Sequence, residues 1–445
     1  MRALALLPLV LPACGPTADL ELSLTQSAAI PTVFTATVDG AASGLDAAWV
    51  EFGRDGAWDH RAPLDISGDP PWQVTLLGMK PLSDYEVRLG VQLDGEGFTG
   101  RAHTAGTGGV PAEFPDFSLE RGGGESFGGY YLTSVLGLST AAVILDSDGE
   151  YVWWYQPEGI TEVGRTVPTR DGSGLLVQKL NPNAAEAGEV VRVSTDGTQA
   201  QATDLPWGHH DLYEHADGTL AYIASVPLDV EGTEVSGAAI VERAPDGSTS
   251  VVWDIWDHED AFPYEPGAGG PAGAWPHANA LDYLPGEGAY LVSFLYLDAI
   301  AKVDRASGDL LWVMGGDTSD FTLEGGSTDL FERTHQLERL DDSLLVFVNG
   351  AQQGGESYAV EYALDESDPV VEPLWAYHPE PSLSCLSLGD VHRFDSGNTL
   401  VTFSYSGQLH EVDPDGEVVW KLSAGAGGVF SYVTPVEDLV EVFGG

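Results

Sequence analysis

The feature that most restricts the fold is a tight turn followed by a short apolar run and a tryptophan, which recurs from about Gly129 onward. It stands at Asp146-Ser147-Asp148-Gly149 before Trp153, Asp246-Gly247 before Trp253, Ser307-Gly308 before Trp312 and Asp415-Gly416 before Trp420. Weaker copies sit at Asp196-Gly197 before Trp207 and at Asp365 before Trp375. Asp and Gly supply the backbone angles of a turn between antiparallel strands, and the Trp beyond it is placed to pack between neighbouring units. Periods of roughly 40 to 60 residues with several strands each are the signature of propeller blades, so six copies predict about six blades. No stretch of this region carries the 3.6-residue apolar period of a long helix.

Upstream, from about Ala28 to Thr104, short alternating segments such as Ala48-Trp49-Val50-Glu51-Phe52 and Tyr85-Glu86-Val87-Arg88-Leu89 favour a small β-sandwich. The stretch from Leu76 to Tyr85, with Pro81 four residues before the Tyr, resembles the corner of fibronectin type III domains, where the Tyr hydroxyl bonds nearby backbone. The expected architecture is all-β, a six-bladed β-propeller preceded by a small immunoglobulin- or fibronectin III-like β-sandwich. Met1-Arg2-Ala3 followed by an apolar run to Ala13 fits a short signal peptide, below the ~20 residues of a membrane-spanning helix. Leu11-Pro12-Ala13-Cys14 resembles the bacterial lipobox, in which the Cys is lipidated. The expected organisation is therefore a lipoprotein-type signal over 1–14, a tether over 15–27, the sandwich over 28–105, a Gly/Thr/Pro-rich linker over 106–117 and the propeller over 118–445. Such a chain is exported and held at the cell envelope, touching the membrane only through its lipid. With Cys14 lipidated, Cys385 has no disulfide partner and reads as a quiet buried thiol.

Charge narrows the partners. Lys and Arg number 18 against 69 Asp and Glu, a formal charge of −51, which repels nucleic acid and anionic lipid. The acidic residues are scattered through turn-like pairs rather than gathered in one block, as on a solvated surface.

A second repeat places a polar residue about ten positions before the apolar core of a strand. Arg165 precedes Leu175, His210 precedes Leu220, His335 precedes Leu344 and Asp390 precedes Leu400, while His277 has a longer loop before Leu291. If these strands are the innermost of their blades, Arg165, His210, His277, His335 and Asp390 ring one mouth of the central channel. Packing requires no imidazole at such positions, so three in separate repeats point to a shared site. His209, His215, His392 and His410 are further candidates, His392 the best of them. His209-His210-Asp211 with His277 also admits a metal site, but no compact metal-ligand spacing supports it, and no metal or cofactor is expected. The run Asp413-Pro414-Asp415-Gly416-Glu417 reads as a turn rather than a calcium loop.

The strings Trp207-Gly208-His209-His210-Asp211, His277-Ala278-Asn279, and Thr334-His335-Gln336 leading to Val346-Phe347-Val348-Asn349-Gly350 resemble the motifs of bacterial arylsulfotransferases. The resemblance implies a six-bladed propeller behind a small β-sandwich. It also implies sulfuryl transfer from an aryl sulfate ester to a phenol, independent of 3′-phosphoadenosine-5′-phosphosulfate, through a sulfated histidine. On the motif match His335 takes the nucleophile position, and His210 and His277 hold the sulfuryl group and assist the phenolic oxygen. Arg165, His209, Asn279, Tyr296, Asp390 and His392 are the accompanying substrate-binding candidates. The family has an arginine in the region where this chain reads Ser293-Phe294-Leu295-Tyr296, and Arg165, Arg333 or Arg393 is left to replace it. The rival expectation is a non-catalytic surface propeller that binds a ligand or protein at the same mouth.

Overall fold

A computed structural model describes residues 8–10, 18–137, 139–158, 162–180, 186–265, 269–270, 273–350, 355–425 and 427–444. The lipidation candidate Cys14 and most of the leader lie outside them.

Two sheets form the N-terminal unit. One is ordered 8–10, Ala18–Gln26, Phe34–Ala42, Trp72–Leu76, and the other His60–Pro63, Leu45–Gly53, Asp84–Leu93, Glu96–Thr99, with His103–Gly106 also paired to Asp84–Leu93. Their inner faces share one apolar core that includes Leu20, Leu22, Phe52, Val87 and Leu89, which makes a β-sandwich. Tyr85 forms the expected corner, its hydroxyl accepting the backbone N–H of Lys80 at 2.9 Å. The sandwich begins at Ala18 instead of Ala28, so the stretch read as a tether is largely strand. Its period-two pattern, with Leu20, Leu22 and Leu24 inside and Asp19 outside, is that of a strand with one face buried.

Six further sheets follow. The chain runs outward through four strands in the second to fifth, beginning at Glu162–Pro168, Gly208–Glu214, Ala278–Leu284 and Thr334–Arg339. The sixth begins at Asp390–Arg393 and ends at Val418–Ala424, to which Phe117–Arg121 adds a fifth strand. Phe117, read as the end of the linker, is thus already part of that blade. In the first sheet Tyr130–Leu136, Ala141–Asp146 and Tyr151–Tyr155 are completed on the inner side by 429–430 and 434–436 from the far end of the chain. Both ends of the propeller sequence are therefore tied into the ring by strand pairing.

The turn repeat explains its own geometry. Asp146, Asp196, Asp246, Asp365 and Asp413 each turn a carboxylate oxygen onto the backbone N–H two residues on. Five of the six tryptophans lie on the outer strands that follow. Trp153 donates its indole N–H to Thr195 O in the next blade, and Trp420 does the same to Ser147 O, so these two tie one blade to the next. Trp207 departs from the expectation. The outer strand Ala200–Asp204 holds no Trp, and Trp207 lies beyond it, partly exposed, with a φ of 60°.

The sandwich rests on the first two blades. Ile30, Val33 and Leu77 join their core, and Ser27 and Thr32 donate to the carbonyls of Asp196 and Val152.

Candidate active site

Four successive innermost strands carry a β-bulge near the same end, at Val163/Thr166, His209/Leu212, Ala278/Ala280 and Thr334/Leu337. A bulge inserts unpaired residues and re-aims their side chains. The backbone around them is strained accordingly, with φ near +60° at His210, His277, Arg333 and Leu388. Non-glycine residues in that region persist only where surrounding structure holds them, and they concentrate at functional sites. At Gly389 the reason is visible: a Cβ there would lie 2.0 Å from the ring of Phe347.

The bulges sort the polar residues into two layers. His210, His277 and His335 face a cavity of about 720 Å³, together with Tyr296, Arg333, Tyr432 and an apolar rim of Leu136, Leu180, Leu295, Leu386 and Tyr405. Nε2 of His210 lies 3.2 Å from Nε2 of His277, and the rings of His210 and His335 are 6.0 Å apart between centres. Nothing bridges the first pair but a hydrogen bond, and among the described residues no group of three or more His, Cys, Asp or Glu is arranged to hold a metal ion.

Directly beneath lies the second layer. Arg165 makes a two-pronged contact with Asp211, at 2.9 and 3.0 Å, and reaches Asp390 at 3.1 Å. Asp211 also accepts from Gln336 and from the backbone of Leu281, while Asp390 accepts from Val433. Asn279 is wholly buried, donating to Thr334 O and accepting from Ser293. Arg165, Asn279 and Asp390, expected to touch substrate, instead form the plug on which the histidines stand. The spacing argument located their blades, but the strands it took as innermost, those of Leu175, Leu220, Leu344 and Leu400, are second in their sheets, and the polar residues lie on the strands before them. In a bulge the adjacent residue points elsewhere, so an offset of one moves a side chain from cavity to plug.

The remaining candidates separate clearly. Tyr296 lines the cavity, its ring 5.5 Å from that of His277. His209 packs edge-on against His210 at 5.1 Å, with its Nδ1 buried and unpaired among the described residues. His392 lies in a separate cavity, 3.0 Å from Glu338, and Arg393 there pairs with Glu361. His215 bonds Tyr290 and His410 bonds Tyr377, both away from the site. Of the three arginines considered as replacements only Arg333 enters the histidine cavity, its guanidinium carbon 5.1 Å from the centre of the Tyr296 ring.

Three contacts set the protonation of the histidines. Both N–H bonds of Asn349 go to the carbonyls of Cys385 and Leu388, at 2.7 and 2.8 Å, so its Oδ1 faces Nδ1 of His335. Nδ1 must then carry the proton, and Nε2 keeps its lone pair, which accepts the N–H of Leu388 at 3.0 Å. Tyr432 donates to the carbonyl of Asn279 at 3.2 Å and stands 3.0 Å from Nδ1 of His210. With the phenolic proton on Asn279, Nδ1–H of His210 donates to Tyr432 and its Nε2 accepts Nε2–H of His277.

Burial depresses the proton affinity of all of them. His335 is lowered to about 3, with the charge of His277 adding and Asn349 opposing; His277 is lowered to about 4, and His210 lies well below its ordinary value. Near neutral pH these are neutral imidazoles with defined tautomers. Cys385 is buried, its thiol pushed up to about 11 by burial, and its carbonyl serves to hold Asn349.

Tyr432, Asn349 and Leu388 were not singled out from the sequence. Asn349 sits in a quoted motif, which was a usable signal; Tyr432 and Leu388 reach the site through ring closure and a loop, which leave no local pattern.

Among solved structures, a protein of unknown function from Bacteroides caccae is 16% identical, with a TM-score of 0.46, covering 70% of this chain and 100% of its own. A streptogramin B lyase structure is 12% identical, with a TM-score of 0.41, covering 69% of this chain and 98% of its own. A comparison with curated proteins finds no match. The family model described as arylsulfotransferase (ASST) matches residues 130–425, a span that contains the histidines, Asn349, Arg333 and every complete blade strand from Tyr130 to Ala424. By that match over most of its length, the chain belongs to the arylsulfotransferase family.

Proposed function

We propose that the protein transfers a sulfuryl group from an aryl sulfate to a phenol through a sulfated intermediate on Nε2 of His335. The observation that carries this reading is the tautomer of His335, held with a proton on Nδ1 and a lone pair on Nε2 beside the His210–His277 pair. In the first half-reaction Nε2 attacks sulfur, the N–S bond forms and the S–O(aryl) bond breaks. The departing phenolic oxygen, whose conjugate acid has a pKa near ~10, accepts a hydrogen bond from Nε2–H of His277 as charge develops on it, and leaves as the phenolate. In the second half-reaction a new phenol gives its proton to the released phenolate or to solvent, its oxygen, hydrogen-bonded by the same Nε2–H, attacks sulfur and the N–S bond breaks. Arg333 opposes charge on the sulfuryl oxygens, and the leucine and tyrosine rim holds the aryl ring.

Leu388 adds a condition. Its N–H occupies the lone pair that must attack, so the segment around Leu388 yields this bond when substrate enters. The same capped nitrogen is what favours the rival reading, a propeller that binds at this mouth without catalysis.

A donor added without acceptor separates the two. We expect a burst of one phenol per protein and the mass of one sulfuryl group on the peptide that contains His335. The burst is expected to persist from pH 8 down to about pH 5, because a histidine lowered to about 3 stays neutral where an ordinary one is protonated. Binding of the donor with neither burst nor adduct leaves the non-catalytic reading.

Tyr432 is assigned as the residue that orients His210, and through it His277. Tyr432→Phe removes the acceptor for His210 Nδ1–H and is expected to lower kcat about 10²-fold for donors with poor leaving phenols. Donors such as 4-nitrophenyl sulfate, whose leaving group needs little help from a hydrogen bond, should be nearly unaffected. An equal loss for both donors would show that Tyr432 supports structure only.

A further inference from the structure

Tyr296 is shared between two cavities. On one side lie Leu295, Arg333 and the histidines; on the other lie Leu297, Asp298 and Glu332, around a second space of about 620 Å³. The walls of this second space combine aromatic rings, among them Phe262, Trp275 and Tyr358, with the carboxylates of Asp298, Asp317 and Glu332. None of the ion pairs among the described residues involves these three acids. Asp298 is half-buried and accepts only the backbone N–H of Arg333 among the hydrogen bonds found for it, at 2.6 Å. Burial pushes its carboxyl up, and Glu332 and Asp317 push it further, while Arg333 opposes them. Trp275 is 1% exposed, and its indole N–H has no partner among the described residues.

Carboxylates that outnumber the cation beside them, Arg333, and stand among aromatic faces make an environment for an organic ammonium. An anionic or neutral group would gain nothing from the acids and would leave them mutually repelling. The position of the space completes the argument: an aryl ring in the histidine cavity that carries a substituent along Tyr296 delivers the end of that substituent here. The net charge of −51 acts in the same direction, concentrating cations and opposing a purely anionic aryl sulfate.

We propose that this second cavity binds the ammonium end of the substrate, so that the protein acts on phenols, and their sulfates, that bear a protonated amine. The proposal rests on the sulfuryl-transfer reading for the direction in which the substrate lies.

Acceptor competition tests it, with 4-nitrophenyl sulfate as donor and 4-(2-aminoethyl)phenol, 4-ethylphenol or 3-(4-hydroxyphenyl)propionate as acceptor. The kcat/KM for the amine is expected to exceed that for the neutral phenol by about tenfold, with the carboxylate lowest. The double variant Asp317→Asn, Glu332→Gln should bring the amine-to-neutral ratio close to one. Asp395→Asn with Glu437→Gln removes the same charge from a separate cavity and should keep the ratio, which distinguishes a local site from the overall field. Equal kcat/KM for the amine and 4-ethylphenol in the unaltered protein would overturn the proposal, as would a preference that survives the first double variant. Calorimetric titration with 4-(2-aminoethyl)phenol in the absence of donor decides the matter even if no acceptor is sulfated. Binding that weakens about tenfold in the first variant supports the cavity while the transfer reading fails; no binding, or binding unchanged by the variant, removes the cavity assignment.

Discussion

His335→Ala is expected to lower sulfuryl transfer by about 10⁴-fold or more while leaving the melting temperature within a few degrees. The size follows from the chemistry. No other imidazole in the cavity combines a fixed Nδ1 proton with an Nε2 lone pair that only a backbone N–H must yield: the Nε2 lone pair of His210 is taken by Nε2–H of His277. Without a nucleophile the site keeps only its binding and electrostatic help, and direct attack of one phenol on the sulfate would need both substrates in place at once. The burst of phenol and the adduct should vanish together with turnover. Residual transfer within tenfold of the unaltered protein would sink the sulfohistidine route. The structural cost is small because Asn349 remains held by Cys385 and Leu388 through both of its N–H bonds.

Arg165→Met is expected to destabilise the propeller by about 3–5 kcal/mol, a fall in Tm of roughly 6 °C. Among the described residues Arg165 is the cation paired with both Asp211 and Asp390, which are buried, and its removal leaves two carboxylates facing each other with no counter-charge. Even with Arg165 present, burial holds Asp390 up at about 6, with Arg165 opposing and Asp211 adding to the rise. Substituting the whole set, Arg165→Met with Asp211→Asn and Asp390→Asn, should recover most of the loss, since no charge is then left buried alone. The measurement is thermal unfolding of the three proteins at pH 7. If the single variant unfolds at the same temperature as the parent, the plug does not anchor the ring.

How much of this was readable beforehand depends on the range of the interaction. The Asp-Gly turns and the tryptophans that follow them are local, and they marked the blades correctly in five cases; Trp207 misled because the match was to a spacing rather than to a strand. The ten-residue offset found the blades but mistook the strands: those that begin near Leu175, Leu220, Leu344 and Leu400 are second in their sheets, and the polar residues stand on the innermost strands before them. It could not tell Arg165 and Asp390, which support the site, from His210, His277 and His335, which face it. His392, a further candidate beside Asp390, proved to lie further along its strand, against Glu338. The strand Ala18–Gln26 was passed over although its alternation is plain, because it directly follows the apolar leader.

The amino-acid order alone determined that this chain repeats a turn-and-strand unit and that its histidines recur in register, since both depend on residues a few positions apart. Which nitrogen holds a proton, which cation stays in the cavity and which polar residues become a buried plug were decided only when the ring closed. Closure brings Tyr432 from the end of the chain onto His210, and the loop at Leu388 onto His335. The physical reason is that a bulge turns neighbouring residues in different directions, and hydrogen bonds between distant blades then choose among the protonation states that each histidine could adopt.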